Sequence, residues 1–319
     1  MMDDDPVIRE CREVFTMEQM IDAICPLCGD KENFTVLYPQ NFQPQDLNKE
    51  VFSARRLPDR LHYRIVKCNL DGLVRSTPIM AQDGLTRLYQ ESHFTYKEET
   101  EALAHTYVWA LGPALVAIGK MGRILEVGCG NGFVLSALHE KGYSQVFGVE
   151  PSREAVESSD PALKPCIRND ILKPGLFEPA SFDLIAFFQV LDHIPDPNAF
   201  LRLCFSLLKP GGYIVAFHHN MTGWSHTLLR ERCPIIDVEH THLYDPKTVA
   251  AIFSRNGFNI IRVTCPANYV SLRHLVWLSP IPARMKRKLM ASHNGLIRRV
   301  LNLTLWLKLG NLCILADKK

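Results

Sequence analysis

Two carboxylates flank a turn built of small residues. In Arg123 to Phe133, RILEVGCGNGF, a short apolar run carries Glu126 and breaks into Gly128, Gly130 and Gly132, with Cys129 and Asn131 between them. An apolar run, a glycine-spaced turn and a renewed apolar stretch from Phe133 predict a buried strand, a tight loop and a helix. Glycines in such a loop let backbone N–H groups approach a ligand at a helix N-terminus. The next apolar run, QVFGVE, ends on Glu150, 22 residues after Gly128, the length of one helix plus one strand. A carboxylate there suits both hydroxyls of a ribose, and Glu126 stands at the strand end where open α/β sheets bind ligands. Phe133 and Leu135 occupy the place where a dinucleotide fingerprint G-x-G-x-x-G/A carries its last small residue, which counts against NAD or FAD.

Five stretches occur in order: ILEVGCGNG, GVEPS, Asn169-Asp170, SFDLIAFFQVLDHIPDP and LLKPGGYIVAF. From about Arg123 to Val263 they resemble the successive motifs of class I S-adenosylmethionine-dependent methyltransferases. The resemblance implies a Rossmann-like, doubly wound α/β fold with a mostly parallel seven-stranded sheet and an antiparallel last strand. It also implies S-adenosylmethionine as the cofactor. By motif, Gly128, Gly130 and Gly132 admit the methionine portion, Cys129 and Asn131 line the loop, and Glu126 holds the ammonium directly or through water. Glu150 binds the ribose, Asp170 meets the adenine amino group with Ile171 beside the ring, and Gln189 offers backbone to the methionine end. Asp170 also reads as a plain helix cap.

Methyl transfer from a sulfonium is an in-line displacement, so alignment is the main task. A general base is needed only if the acceptor's proton must leave, and histidine suits that work near neutral pH. His193 follows the fourth strand, His218 and His219 the fifth, and His240 and His242 sit in VEHTHLYDP. His193 and His242 rank first, then His219; structural hydrogen bonding competes with catalysis at each.

Nearer the start, CPLCGD places Cys25 and Cys28 in a C-x-x-C knuckle, and CNLDG places Cys68 and Asp71 in the same spacing. Each is followed by glycine, and the pair looks like a zinc ribbon, a hairpin module held by metal because its core is too small. Some bacterial methyltransferases acting on sugars and secondary metabolites carry such a ribbon. Asp71 replaces the ribbon's fourth cysteine, leaving a Cys3Asp zinc site, with His62 as a spare ligand, or a ribbon without metal. Redox chemistry lacks the βαβ context it wants.

These residues need a frame. Strands ILEV, VFGVE, SFDLIAFF, GYIVAF and FNIIRV alternate with helices at 133–141, 152–159, 197–208 and 246–255, with a short strand near Cys166-Ile167. Such alternation predicts a parallel sheet. Asp245, Pro246 and Gly257 mark the last helix as N-cap, first position and stop. The divisions are a ribbon-like module over 1–80, a helical lead-in over 81–120, a core over 121–265 and a basic helical insertion with the final strand over 266–319. A short helix is expected over Thr16 to Ile24, and a long one from Asp83 to Lys120 whose aromatics pack on the sheet or place Tyr96 or Tyr107 over the cofactor. In the insertion, Leu296, Val300, Leu303 and Leu307 recur at helical spacing among Arg298, Arg299 and Lys308, the pattern of a lid or of a surface touching an anionic membrane.

The 319 residues are 47% hydrophobic and 22% charged, ordinary for a globular protein. The acidic start is unlike a secretory signal, the longest apolar runs are short of a membrane span, and ten scattered cysteines fit a reducing compartment, hence a cytoplasmic expectation. The net charge of +2 hides an asymmetry, because from Arg262 onward 11 Lys and Arg face one acid, Asp317. The favoured acceptor is a small, sugar or lipid-linked metabolite. A nucleic-acid acceptor and an inactive cofactor-binding protein are the rival readings.

Overall fold

A computed structural model describes residues 20–43, 46, 60–90, 100–279, 281–292 and 294–319. Tyr96, and residues 16–19 of the helix expected over Thr16 to Ile24, lie outside these residues. The described part of that segment is a strand instead. β1 (Met20–Ile21) pairs antiparallel with β5 (Ile79–Met80), because Met20 and Ile21 find partners in Met80 and Ile79.

Between them, β2 (Phe34–Tyr38), β3 (Ile65–Cys68) and β4 (Val74–Ser76) form an antiparallel sheet. Its fourth strand, β11 (His242–Leu243), comes from far along the chain and pairs with β4. Ser76 tightens this junction, its N–H donating to Thr241 O at 2.9 Å and its hydroxyl to His240 O at 2.7 Å. The N-terminal sheet is thus completed by a segment that follows the large sheet's central strands.

α1 (Gln82–Gln90) and α2 (Thr100–Ile118) lead into the large sheet. α2 is long and apolar enough to cross a membrane by length and composition, yet its Tyr107, Leu111 and Ala114 are buried against the sheet. The chain then alternates: β6 (Ile124–Val127), α3 (Phe133–Glu140), β7 (Val146–Val149), α4 (Arg153–Glu157), β8 (Ile167–Arg168), β9 (Phe182–Phe188), α5 (Pro197–Leu207), β10 (Leu208–His219) and α6 (Trp224–Leu229). After β11 come α7 (Pro246–Arg255) and β12 (Asn259–Thr264). The last strand, β15, spans Asn311–Asp317. The order across the sheet is β12-β15-β10-β9-β6-β7-β8. Only β15 runs against its neighbours, pairing antiparallel with β10 and β12. The expected seven-stranded, mostly parallel sheet is what forms.

Local signals explain these bounds. Asp245 accepts from the Thr248 N–H at 2.7 Å while the Thr248 hydroxyl takes the Asp245 N–H, a capping box that starts α7. Alternate residues of the central strands face opposite layers, as strand geometry demands. Leu184, Ala186 and Phe188 of β9 meet α2 and α3, whereas Ile185 and Phe187 meet α5 and α7. Phe187 is fully buried with its ring 5.2 Å from that of Phe200. Phe187→Ala should therefore cost about 3–5 kcal/mol in urea denaturation, and a loss below about 1 kcal/mol would contradict this packing.

The insertion differs from its expected all-helical form. β13 (Asn268–Ser271) precedes α8 (Leu272–Leu278), α9 (Ala283–Met290) and α10 (Gly295–Leu301), and β14 (Thr304–Leu307) pairs back with β13. The helical period seen in Leu296 to Leu307 is broken after Leu301. Thr304 instead faces Ser271 across the hairpin and its hydroxyl donates to Tyr269 at 2.7 Å, so strand pairing overrides the apolar period.

Candidate functional site

Because the sheet is parallel, the carboxyl ends of β6, β7, β9 and β10 open on one side, and a cavity of about 850 Å³ lies there. Glu126, Gly128, Gly130, Glu150, Asp170, Ile171, Gln189, His193, His219 and His240 are among its lining residues. α1 and α2 cover it with Leu85, Tyr89, Leu103 and Tyr107, and the insertion adds Tyr269 and Leu275. Tyr107 stacks on Phe188 with centroids 4.2 Å apart.

At one end the glycine turn and two acids form a cradle. Gly128 has φ +71°, and a Cβ there would lie 2.5 Å from Val190 Cγ2, so both conformation and space call for glycine. Glu150 accepts from the Gly130 N–H at 2.8 Å and from the Ser152 N–H at 2.9 Å, one bond per oxygen. Each oxygen retains acceptor capacity toward the cavity. Glu126 is 2% exposed, and its Oε2 has no hydrogen-bond partner. Burial, and then the charge of Glu150, push the Glu126 carboxyl well above the ordinary range. Gln189 adopts φ +57° while its N–H donates to Phe217 O at 2.7 Å, and its buried Oε1 is likewise without a partner. Asp170 takes the Ile171 N–H at 2.8 Å and pairs with Lys173 Nζ at 2.6 Å.

Three residues expected in this cradle stand behind it. Cys129 is fully buried in the core between α3 and the sheet, where a Cβ on Gly148 would meet its Sγ at 2.6 Å. Its thiol points inward because Gly148 leaves room there, so it does not line the cavity. Gly132 is the N-cap of α3, in left-handed conformation, and packs near Ile167. Asn131 Oδ1 is buried without a partner, and the residue is outside the lining.

The other end is rich in imidazoles and carboxylates. Tyr89 OH and His193 Nδ1 lie 2.9 Å apart, and His193 Nε2 is 3.9 Å from Asp192 Oδ1. His219, His240, Asp237 and Glu239 complete this half. Burial raises the Asp192 carboxyl to about 7, against smaller opposing effects of its own backbone and the His219 amide. His242 does not belong here. It is fully buried on β11 with Nδ1 3.1 Å from Thr241 Oγ1, and burial lowers its pKa to about 4. Pairing with β4 turns it away from the cavity. His218 is also buried, outside the lining, and pushed down to about 3.

Glu239 and Asp192 emerge as residues that sequence reasoning passed over, and His240 as a candidate it named but ranked below His193, His242 and His219. Their signal was present, since each is an acid or base beside another in DH and EH, but strand ends alone do not reveal which one points inward.

On the far side of β4, Cys25, Cys28, Cys68 and Asp71 bring one donor atom each within 4.8 Å of one another. Cys25 Sγ is 3.1 Å and Cys68 Sγ 3.3 Å from Asp71 Oδ2, and the Cys28 and Cys68 sulfurs are 3.5 Å apart. The Gly29 N–H donates to Cys25 O and the Gly72 N–H to Cys68 O, closing two similar knuckles. The second Asp71 oxygen takes the Leu73 N–H at 2.8 Å, which aims Oδ2 at the thiols. These four could hold a metal ion. His62 could not join them, for its nitrogens are engaged by Tyr63 O at 2.8 Å and Glu231 Oε1 at 3.2 Å.

A methyltransferase-domain family model matches residues 96–263, more than half of the chain. Ubiquinone biosynthesis O-methyltransferase from Idiomarina loihiensis is 35% identical over 112 residues, 32% of this chain and 45% of that protein. The human mitochondrial protein of the same name is 30% identical over 154 residues, 43% of this chain and 42% of its own length. The chain thus spans less than half of either relative. A solved S-adenosylmethionine-dependent methyltransferase from Archaeoglobus fulgidus is 19% identical with a TM-score of 0.44, over 69% of this chain and 97% of that one. The residues present suit an adenosyl sulfonium, since buried Glu126 Oε2 and Gln189 Oε1 await partners beside a glycine turn. By the family match, the chain belongs to the methyltransferase-domain proteins, whose cofactor is S-adenosylmethionine.

Proposed function

We propose that this chain methylates a small or lipid-linked metabolite, using S-adenosylmethionine. The observation that carries the proposal is one cavity joining the Glu126 and Glu150 cradle to the imidazole and carboxylate end. Bound there, the cofactor supplies an electrophilic methyl group on a sulfonium. Glu126 faces the ammonium, Glu150 the ribose hydroxyls, and Asp170 with Ile171 the adenine. Gln189 borders the methionine end, and the buried Tyr107 and Phe188 rings help keep water from the reacting centre. His193 is placed to receive the acceptor's proton, its ring held through Nδ1 by Tyr89. Incubating the chain with methyl-labelled cofactor and fractionated cell extract should transfer label to a small organic product. Label found only in nucleic acid would favour the rival acceptor, and cofactor binding without transfer would favour an inactive protein.

The Glu126 assignment has a pH signature. A carboxyl raised in the folded state favours its protonated form, so the ligand-free fold loses stability as pH rises through that raised pKa. An ammonium seated against Glu126 offsets this loss. The melting-temperature gain on adding S-adenosylhomocysteine should therefore be larger at about pH 8 than at about pH 6. An equal or smaller gain at the higher pH would remove the ammonium from Glu126.

We also infer that Cys25, Cys28, Cys68 and Asp71 hold structural zinc. Support comes from the convergence of three thiols and a carboxylate, a donor set zinc accepts. Burial raises the Cys25 thiol far above its usual range, a cost that metal ligation would offset. Purified protein should contain one zinc per chain, and chelation or Cys28→Ser should lower the melting temperature by several degrees. Zinc-free protein whose melting is indifferent to chelator would refute the assignment.

A further inference from the structure

Asp192, His219 and His240 come from three separate segments that the fold ties together. Asp192 lies in the turn after β9, His219 ends β10, and His240 precedes β11. The Thr241 N–H donates to Asp192 O at 2.8 Å, and the Thr241 hydroxyl lies 3.1 Å from both Asp192 O and Ile194 O. This staple brings the His240 ring against the Asp192 carboxylate, with Nε2 3.7 Å from Oδ2. One donor atom from each of the three residues lies within 4.8 Å of the others.

The carboxylate is the telling group. Asp192 is 1% exposed, and the donors that face it, its own backbone and the His219 amide, stop short of full hydrogen-bond geometry at either oxygen. An ionised carboxylate so deprived of water is costly unless a cation or several donors face it. Among the described residues no arginine lines the cavity, and the one lysine that does, Lys173, is paired with Asp170. Asp237 and Glu239 add further negative charge nearby.

We propose that Asp192, His219 and His240 bind one divalent first-row metal ion. Two imidazoles and one carboxylate suit such ions, and three protein ligands leave positions open for other donors. His219 and His240 line the cavity, so the open positions face its acceptor half. One consequence rests on the methyltransferase reading: the ion takes an oxygen of the acceptor, lowers that hydroxyl's pKa, and the released proton passes to His193.

Titration of the whole 319-residue chain with Mn2+, followed by the electron paramagnetic resonance of the free ion, tests the site. Manganese is chosen because the thiol cluster suits softer metals. One Mn2+ per chain should bind, and Asp192→Asn and His240→Gln should each weaken binding about tenfold or more. Bound Mn2+ should also broaden imidazole resonances of histidine-labelled wild-type protein beyond detection, a readout that needs no variant. Absence of saturable Mn2+ binding, or binding in both variants as tight as in the wild-type chain, would overturn the site. Titration with S-adenosylhomocysteine in metal-free buffer is read separately, so a failed metal site and a failed cofactor site are distinguishable.

Discussion

His193→Asn should lower kcat by about a hundred- to ten-thousandfold on an acceptor identified by label transfer, the range expected when a positioned acid–base group is lost. The same variant should keep its affinity for S-adenosylhomocysteine within about twofold and melt near the wild-type temperature, because His193 is held by Tyr89 rather than by the cradle acids and is partly exposed. The Tyr89 contact at 2.9 Å gives a second handle. Tyr89→Phe removes the partner of Nδ1 without removing the ring, and should lower kcat more than it changes KM. Wild-type turnover in His193→Asn would pass the proton's destination to water or another imidazole.

Glu150→Ala should weaken S-adenosylhomocysteine binding by about 1–3 kcal/mol, or roughly 5- to 150-fold. Two effects combine. The ribose hydroxyls lose a charged acceptor, and the Gly130 and Ser152 N–H groups lose the carboxylate that fixes the turn. Glu150→Gln separates them, since its amide oxygen can still take one backbone N–H while the charge is gone. It should fall between wild type and alanine in a ligand-induced melting shift. Unchanged affinity in Glu150→Ala would remove the ribose assignment.

Much of this frame was legible in the sequence because buried parallel strands are written as continuous apolar runs. ILEV, VFGV and FDLIAFF were readable for that reason, and Asp245, Pro246 and Gly257 marked α7 through local capping chemistry. What escaped is set by partners distant in sequence. A two-residue strand at His242 is invisible until β4 pairs with it, and that pairing turns His242 inward and stations His240 at the cavity. Leu303 to Leu307 follow a helical period but answer to β13. Cys129 lies within the glycine motif, yet the space above Gly148 decides where its sulfur goes. Asp192 belongs to a recognisable motif, but the burial that leaves its carboxylate without a well-formed hydrogen bond is a property of the packed fold.

The central claim is that Glu126, the glycine turn and Glu150 make a cradle for an adenosyl sulfonium. Calorimetric titration of the wild-type chain with S-adenosylhomocysteine, and in parallel with NAD, tests it most directly. One saturable site per chain for the former and none for the latter is expected; saturable heat with NAD, or none with S-adenosylhomocysteine, would contradict it.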